Sequence, residues 1–184
     1  MKHIVTKQLR LIVILAITTL FSLGGCGKWN KDEELTLTRQ PYNGNTLRVD
    51  GYYYFLQNGN VYSSYFFYRN GVVINGEAAD PNSPDPIAFM DEVFSSESFA
   101  DQIKRRKTRW GLFEIQGDSI VFERWVIAEG GYPVMRFSGN ILNDTTFVIT
   151  RAEYPQSGKV FQQNDLYHFH AFSPKPDSTN VFIP

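Results

Sequence analysis

Residues 51–75 read GYYYFLQNGNVYSSYFFYRNGVVIN, and two Asn-Gly pairs within them, Asn58-Gly59 and Asn70-Gly71, decide the fold class. Asn-Gly is a favoured two-residue hairpin connection because both central positions of such a turn need a positive φ. The flanking runs Leu47–Leu56, Val61–Tyr68 and Val72–Glu77 are rich in aromatic and β-branched residues, which fit a pleated, half-buried surface. Three antiparallel strands in succession are expected here.

The pattern breaks at 80–86, where three prolines exclude a central strand. Asp85-Pro86 is a plausible cap and first helical residue, and Phe89, Met90, Val93 and Phe94 follow at helical spacing. Phe99 and Ile103 suggest a second short turn of helix. A small helical insertion covering one end or edge of the sheet is expected.

Strands resume at Arg109–Ile115, turn at Gly117-Asp118 and return through Ser119–Ile127. A two-residue turn there sets Ile115 beside Ile120, Phe113 beside Phe122 and Trp110 beside Trp125. One face then carries Phe113, Ile115, Ile120, Phe122 and Val126; the other carries Trp110, Leu112, Glu114, Val121, Glu123 and Trp125. Tyr132–Ile141, Thr145–Ala152 and Asp165–Phe172 complete eight strands, with a polar loop before the last. Eight antiparallel strands joined by hairpins suit an all-β, up-and-down barrel, which leaves no exposed edge; a β-sandwich is the alternative. The strand order resembles the lipocalin-type barrels, although their Gly-x-Trp motif does not precede the first strand.

Of 184 residues, 42% are hydrophobic and 20% charged, about one domain's worth of chain. Basic and acidic residues number 18 and 19, without the basic excess of a general nucleic-acid binder. The single cysteine, Cys26, excludes an intrachain disulfide framework and a Cys-based zinc cluster.

The N-terminus carries a separate signal. Lys2, Lys7 and Arg10 precede the uncharged run Leu11–Leu23, which is too short to span a bilayer and has the form of a signal-peptide core. Leu23-Gly24-Gly25-Cys26 follows directly and resembles the lipobox of bacterial lipoproteins. The resemblance implies cleavage before Cys26, diacylglycerylation of its thiol and acylation of the new amine. It implies a signal peptide over 1–25, a lipidated tether over 26–40 and one barrel domain over 41–184. Removing residues 1–25 takes three cations and leaves 15 basic against 19 acidic residues. Gly27 is unlike the Asp that retains lipoproteins in the inner membrane of enteric bacteria. Lys31-Asp32-Glu33-Glu34 resembles the acidic export signal of Bacteroidota surface lipoproteins, and as plain chemistry is a solvated tether. The expected location is the outer membrane, with surface exposure implied by that second resemblance.

Chemical motifs are sparse. The sequence contains no phosphate-cradling loop, dinucleotide fingerprint, nucleophile elbow or His-Glu-x-x-His, so no cofactor is implied. His168 and His170 share a strand face, but zinc needs three or four protein ligands and nothing fixes a third. Glu114 and Glu123, diagonal neighbours beside Trp110 and Trp125, resemble the carboxylate pair of a glycosidase flanked by sugar-stacking aromatics. Trp110, Glu114, Glu123, Trp125, His168 and His170 are accordingly the candidate ligand-lining residues. Lys104 to Lys107 form a basic patch that complements a helix C-terminus. Asp118-Ser119-Ile120, Asp144-Thr145-Thr146 and Asp177-Ser178-Thr179 resemble the acceptor triplet of the Bacteroidota O-glycosylation system, making Ser119, Thr145 and Ser178 candidate sites.

The expected function is a non-enzymatic, membrane-anchored lipoprotein. It would bind a small apolar or glycan ligand, or dock on a membrane-protein partner. The alternative is a glycan-directed hydrolase using Glu114 and Glu123.

Overall fold

The computed structural model describes residues 32–58, 60–76, 80, 82–128 and 130–184, with the backbone alone at Asn60 and Tyr62. The expected signal peptide over 1–25, Cys26, Trp29, Gly59 and Glu77 lie outside the described residues.

Eight strands form a closed antiparallel barrel in sequence order: β1 (Gly51–Gln57), β2 (Asn60–Phe67), β3 (Val72–Asn75), β4 (Trp110–Gln116), β5 (Ser119–Trp125), β6 (Val134–Asn143), β7 (Thr146–Tyr154) and β8 (Lys159–Ala171). β1 pairs with β8 from Gly51↔Ala171 to Phe55↔Tyr167, which closes the barrel and excludes a sandwich. Asn58, Gly71 and Gly117 have φ of 53°, 81° and 60°, the left-handed values that the turn residues foretold. The β4–β5 register runs from Gly111↔Arg124 to Gln116↔Ser119, as expected.

Two sequence boundaries move. The last strand begins at Lys159, not Asp165, because the segment taken for a polar loop pairs with β7 through Tyr154↔Lys159 and Ala152↔Phe161. A bulge between Ile149 and Arg151 shifts that register and breaks the alternation a sequence reading depends on. The first strand begins at Gly51, because Leu47 turns into the barrel and is fully buried there.

The lumen is packed. Tyr53, Tyr65, Phe67, Phe113, Phe122 and Phe147 are at most 2% exposed. Phe67 lies edge-on to Phe113 with ring centroids 5.0 Å apart, and Phe147 stacks on Tyr167 at 4.8 Å. Each such side chain contributes about 1.5–3 kcal/mol through burial. We call the end bearing the β2–β3, β4–β5 and β6–β7 turns the lower end. Tyr42 and Leu47 stopper it, with the Leu47 amide donating to the Tyr42 hydroxyl at 2.8 Å. The β1–β2, β5–β6 and β7–β8 connections form the upper end.

A second apolar cluster lies outside the barrel. The β3–β4 connection folds into α1 (Pro86–Phe94) and α2 (Glu97–Arg105). Asp85 caps α1 by accepting from the Ile87 and Ala88 amides at 3.1 and 3.0 Å; Ser96 caps α2 by accepting from the Phe99 amide. Such caps stabilise a helix by about 1 kcal/mol each. Met90, Phe94, Phe99 and Ile103 are buried, with the Phe94 ring 4.8 Å from Phe66 and 5.0 Å from Tyr52. The insertion therefore covers the outer wall of β1–β4 and not an end or edge. The reason is in the sequence: Tyr52, Phe66, Val72, Ile74, Trp110 and Leu112 make that wall apolar on its outer face too. Among the described residues no helix is long and apolar enough to cross a membrane.

Candidate functional site

The six candidate ligand-lining residues all project from the outer face of the barrel, so none lines the lumen. Trp110 is fully buried, its indole N–H donating to the Ile103 carbonyl of α2 at 2.8 Å. Trp125 is 4% exposed and donates to the Glu33 carbonyl at 2.7 Å. The Trp110/Trp125 face is thus neither a cavity wall nor an exposed patch. Helix α2 covers one indole, and residues 33–37, read from sequence as tether, cover the other.

Glu123 holds that N-terminal strap. Its carboxylate is completely buried and accepts from the Thr36 amide at 2.6 Å, the Thr36 hydroxyl at 2.7 Å and the Leu37 amide at 3.0 Å. Arg136 on β6 adds a hydrogen bond from Nε at 2.8 Å and an ion pair at 2.7 Å. Glu33 fastens the start of the strap by accepting from the Val134 amide at 2.8 Å. Burial alone would raise the Glu123 pKa; the donors from Thr36, Leu37 and Arg136 outweigh it and hold the group below the ordinary carboxylate value. A carboxylate closed to water and held charged at neutral pH by these donors is committed to the strap. Glu114 stands opposite Val121 and so diagonal to Glu123 on the same outer face, the register expected from the sequence.

His170 lies 3.0 Å from Asp91 of α1, which also accepts from the Tyr52 hydroxyl at 3.0 Å. That trio pins the helical insertion to β1 and β8. The His168 ring lies 6.1 Å from Tyr54. No group of three or more His, Cys, Asp or Glu side chains converges as a metal site among the described residues. Lys104 donates to Asp177 at 2.6 Å, so part of the basic patch fastens the C-terminal tail. Of the three acceptor triplets, Ser119 is exposed in the β4–β5 turn; Thr145 is half-buried in the β6–β7 turn and donates to Asn143 at 2.8 Å. Ser178 is half-buried and accepts from Asn70 of the β2–β3 turn. All three sit toward the lower end.

The polar groups that do point inward are at the upper mouth. Arg124 lies between Phe122 and Val126 on the lumen face, opposite Gly111. Its guanidinium carbon is 5.6 Å from the Phe137 ring centroid, and its Nε is buried with no hydrogen-bond partner. A Cβ at Gly111 would run into the Glu123 carbonyl and come within 3.0 Å of the Arg124 Cβ, so only glycine lets the two strands approach there. Asp165 faces inward beside Ile149, and burial raises its pKa against the opposing hydrogen bond from the Asn164 backbone. Ser63 and Tyr167 share a hydrogen bond of 2.6 Å. Burial also drives the Tyr167 pKa well above its ordinary value, with Asp165 reinforcing and Arg124 opposing. One phenol therefore senses both charges. Phe55, Met135, Phe137 and Phe161 are half-buried around this cup. No family model, curated protein or solved structure matches the chain.

Sequence reasoning missed Arg124 and Asp165 although the signal for Arg124 was present. It shares parity with Ile120 and Phe122 and was passed over on the way to Val126. Asp165 carried no such signal, because the bulge hides its parity.

A depression of about 350 Å³ opens at the lower end between Asn45, Arg48, Asp50, Arg69 and Asp144. Its charges are largely engaged: Arg48 pairs with Asp50, and Arg69 donates to the Tyr42 carbonyl at 3.2 Å.

Proposed function

We propose that the chain is a lipid-anchored, non-enzymatic binding protein of the outer membrane, holding a small glycan in the upper mouth of its barrel. The observation that carries this reading is the inward-facing Arg124, whose buried Nε has no partner, beside Asp165 and the Ser63–Tyr167 hydroxyl pair. A buried donor left unpaired costs about 1–3 kcal/mol, a cost that a ligand oxygen would relieve. Sugars suit this chemistry: hydroxyls can meet both charges, and a ring face can lie on Phe137 or Phe161. The aromatic packing of the lumen below argues against the other ligand class, a long apolar chain.

The anchor rests on Cys26 and the lipobox resemblance. Cys26→Ser should abolish incorporation of labelled palmitate and release the protein from the membrane fraction; undiminished labelling would end that part of the reading.

Ligand binding is tested by thermal denaturation against a panel of neutral and acidic mono- and oligosaccharides. A ligand at a hundred times its Kd stabilises the fold by about 2.7 kcal/mol. For a domain of this size that raises Tm by roughly 5–10 °C. Arg124→Met keeps the aliphatic stem beside Phe137 and should lose the shift. No sugar-dependent shift in the native protein, or an equal one in Arg124→Met, contradicts the glycan reading.

A further inference from the structure

We infer that the upper rim of the barrel rests on the surface of a lipid bilayer, with the lower end pointing away from it. The inference builds on lipidation of Cys26 and adds an orientation and a contact surface.

Two independent features converge on that rim. The first is where the chain leaves the barrel. Glu33 is fastened there: its amide donates to the Tyr132 carbonyl at 3.2 Å, and its own carbonyl receives the Trp125 indole at 2.7 Å. Both partners belong to the β5–β6 connection or its edge. From Cys26 to Glu33 the covalent chain spans at most about 25 Å fully extended, less than the reach of a long flexible linker. Acyl chains on Cys26 would draw this rim, and not the opposite end, toward the membrane.

The second is what the rim exposes. The large hydrophobic side chains left open to solvent among the described residues include Leu56 at 42%, Ile127 at 80%, Tyr132 at 39% and Val160 at 38%. Ile127 and Tyr132 stand in the β5–β6 connection, Leu56 one residue from the end of β1 and Val160 one residue into β8, all at the upper end. The other three are Leu142 near the lower end of β6, Leu166 within β8 and Val181 in the C-terminal tail. Exposed apolar residues scattered singly need no explanation, but a group collected on one rim marks a contact surface. Tyr132 is a side chain favoured at the headgroup level of membranes, and Lys159, exposed in the β7–β8 turn, adds attraction to anionic lipid.

The test uses the full, lipidated chain in phosphatidylcholine–phosphatidylglycerol vesicles. With the Cys26 thiol acylated, Ile127→Cys or Leu142→Cys gives one free thiol for an environment-sensitive fluorophore. Both positions are exposed, so neither variant endangers the fold. Vesicles carrying a nitroxide near the lipid headgroup should quench the Ile127 label at least threefold more than the Leu142 label, with a blue-shifted emission at Ile127 only. Equal quenching, or stronger quenching at Leu142, in protein that floats with the vesicles overturns the orientation and leaves the anchor intact. Protein that neither carries palmitate nor floats overturns the anchor, and the orientation with it.

Discussion

Replacing Glu123 with alanine should loosen the N-terminal strap before it harms the barrel. The substitution removes the acceptor shared by the Thr36 amide, the Thr36 hydroxyl, the Leu37 amide and the Arg136 guanidinium, which keeps only Glu153 at 3.8 Å and the Thr36 hydroxyl. Breaking a buried ion pair by deleting one member costs about 3–5 kcal/mol, because the other charge is stranded. Arg136 is 29% exposed and can recover part of its hydration, so the expected loss is lower, about 2–4 kcal/mol. With a urea m-value of about 2 kcal/mol/M, the unfolding midpoint should fall by roughly 1–2 M. Hydrogen exchange at the Thr36 and Leu37 amides should accelerate far more than exchange at the β4–β5 amides, because the strap opens locally. A midpoint change under about 0.5 M, with both strap amides still protected, would refute the clamp.

The pH dependence has a definite sign. The folded pKa of Glu123 lies below its ordinary 4.5, so the clamp is fully present above pH 4.5 and is lost as pH falls through the folded value. The advantage of the native protein over Glu123→Gln should shrink in that acidic window and stay flat above it.

Three further outcomes follow from the same geometry. Lys175 donates to the Val49 and Phe67 carbonyls at 2.6 and 2.7 Å, and burial pushes its pKa down to about 8 from 10.5. The unfolded chain holds the proton longer, so stability relative to Lys175→Met should rise between pH 8 and 10.5; parallel pH profiles would contradict this. Asp165→Asn should stabilise the protein at neutral pH and weaken sugar binding, since partial burial disfavours the native carboxylate's charge; destabilisation in urea would count against it. With Trp29 replaced by Phe, acrylamide should quench Trp110 and Trp125 weakly in the native protein and strongly only at Trp125 once Glu123→Ala frees the strap.

The barrel was legible because its information is local. Asn58, Asn70-Gly71 and Gly117-Asp118 set turn geometry, turn geometry sets register, and register places each side chain on a face. The pairing of Phe113 with Phe122 and Ile115 with Ile120 required nothing else. Which face is the inside is not local information. On β1–β4 both faces are apolar, one for the lumen and one for the helices and strap, so hydrophobicity could not rank them. Two tryptophans flanking acidic residues then looked like a ligand wall when one lies beneath α2 and the other beneath the strap.

The strap had its own signature, Glu34-Leu-Thr-Leu-Thr-Arg, where Leu35 and Leu37 alternate with exposed residues as a strand would. Its position just after the stretch that resembles a lipobox made it look like linker. That misreading reversed the roles of two carboxylates. Glu123, surrounded by aromatics and diagonal to Glu114, drew attention as chemistry, yet it is fully paired and has no valence left for a ligand. Asp165 and Arg124 drew none, yet each is half-buried and, among the described residues, without an ionic partner, Arg124 donating only to the Trp125 carbonyl at 3.4 Å. A folded domain normally satisfies its buried charges, so an inward charge left unpaired is the better indicator of a site than a conspicuous charge whose hydrogen bonds are complete. By that criterion the proposed glycan site is placed at the mouth, whereas the tryptophan face is closed by α2 and the strap.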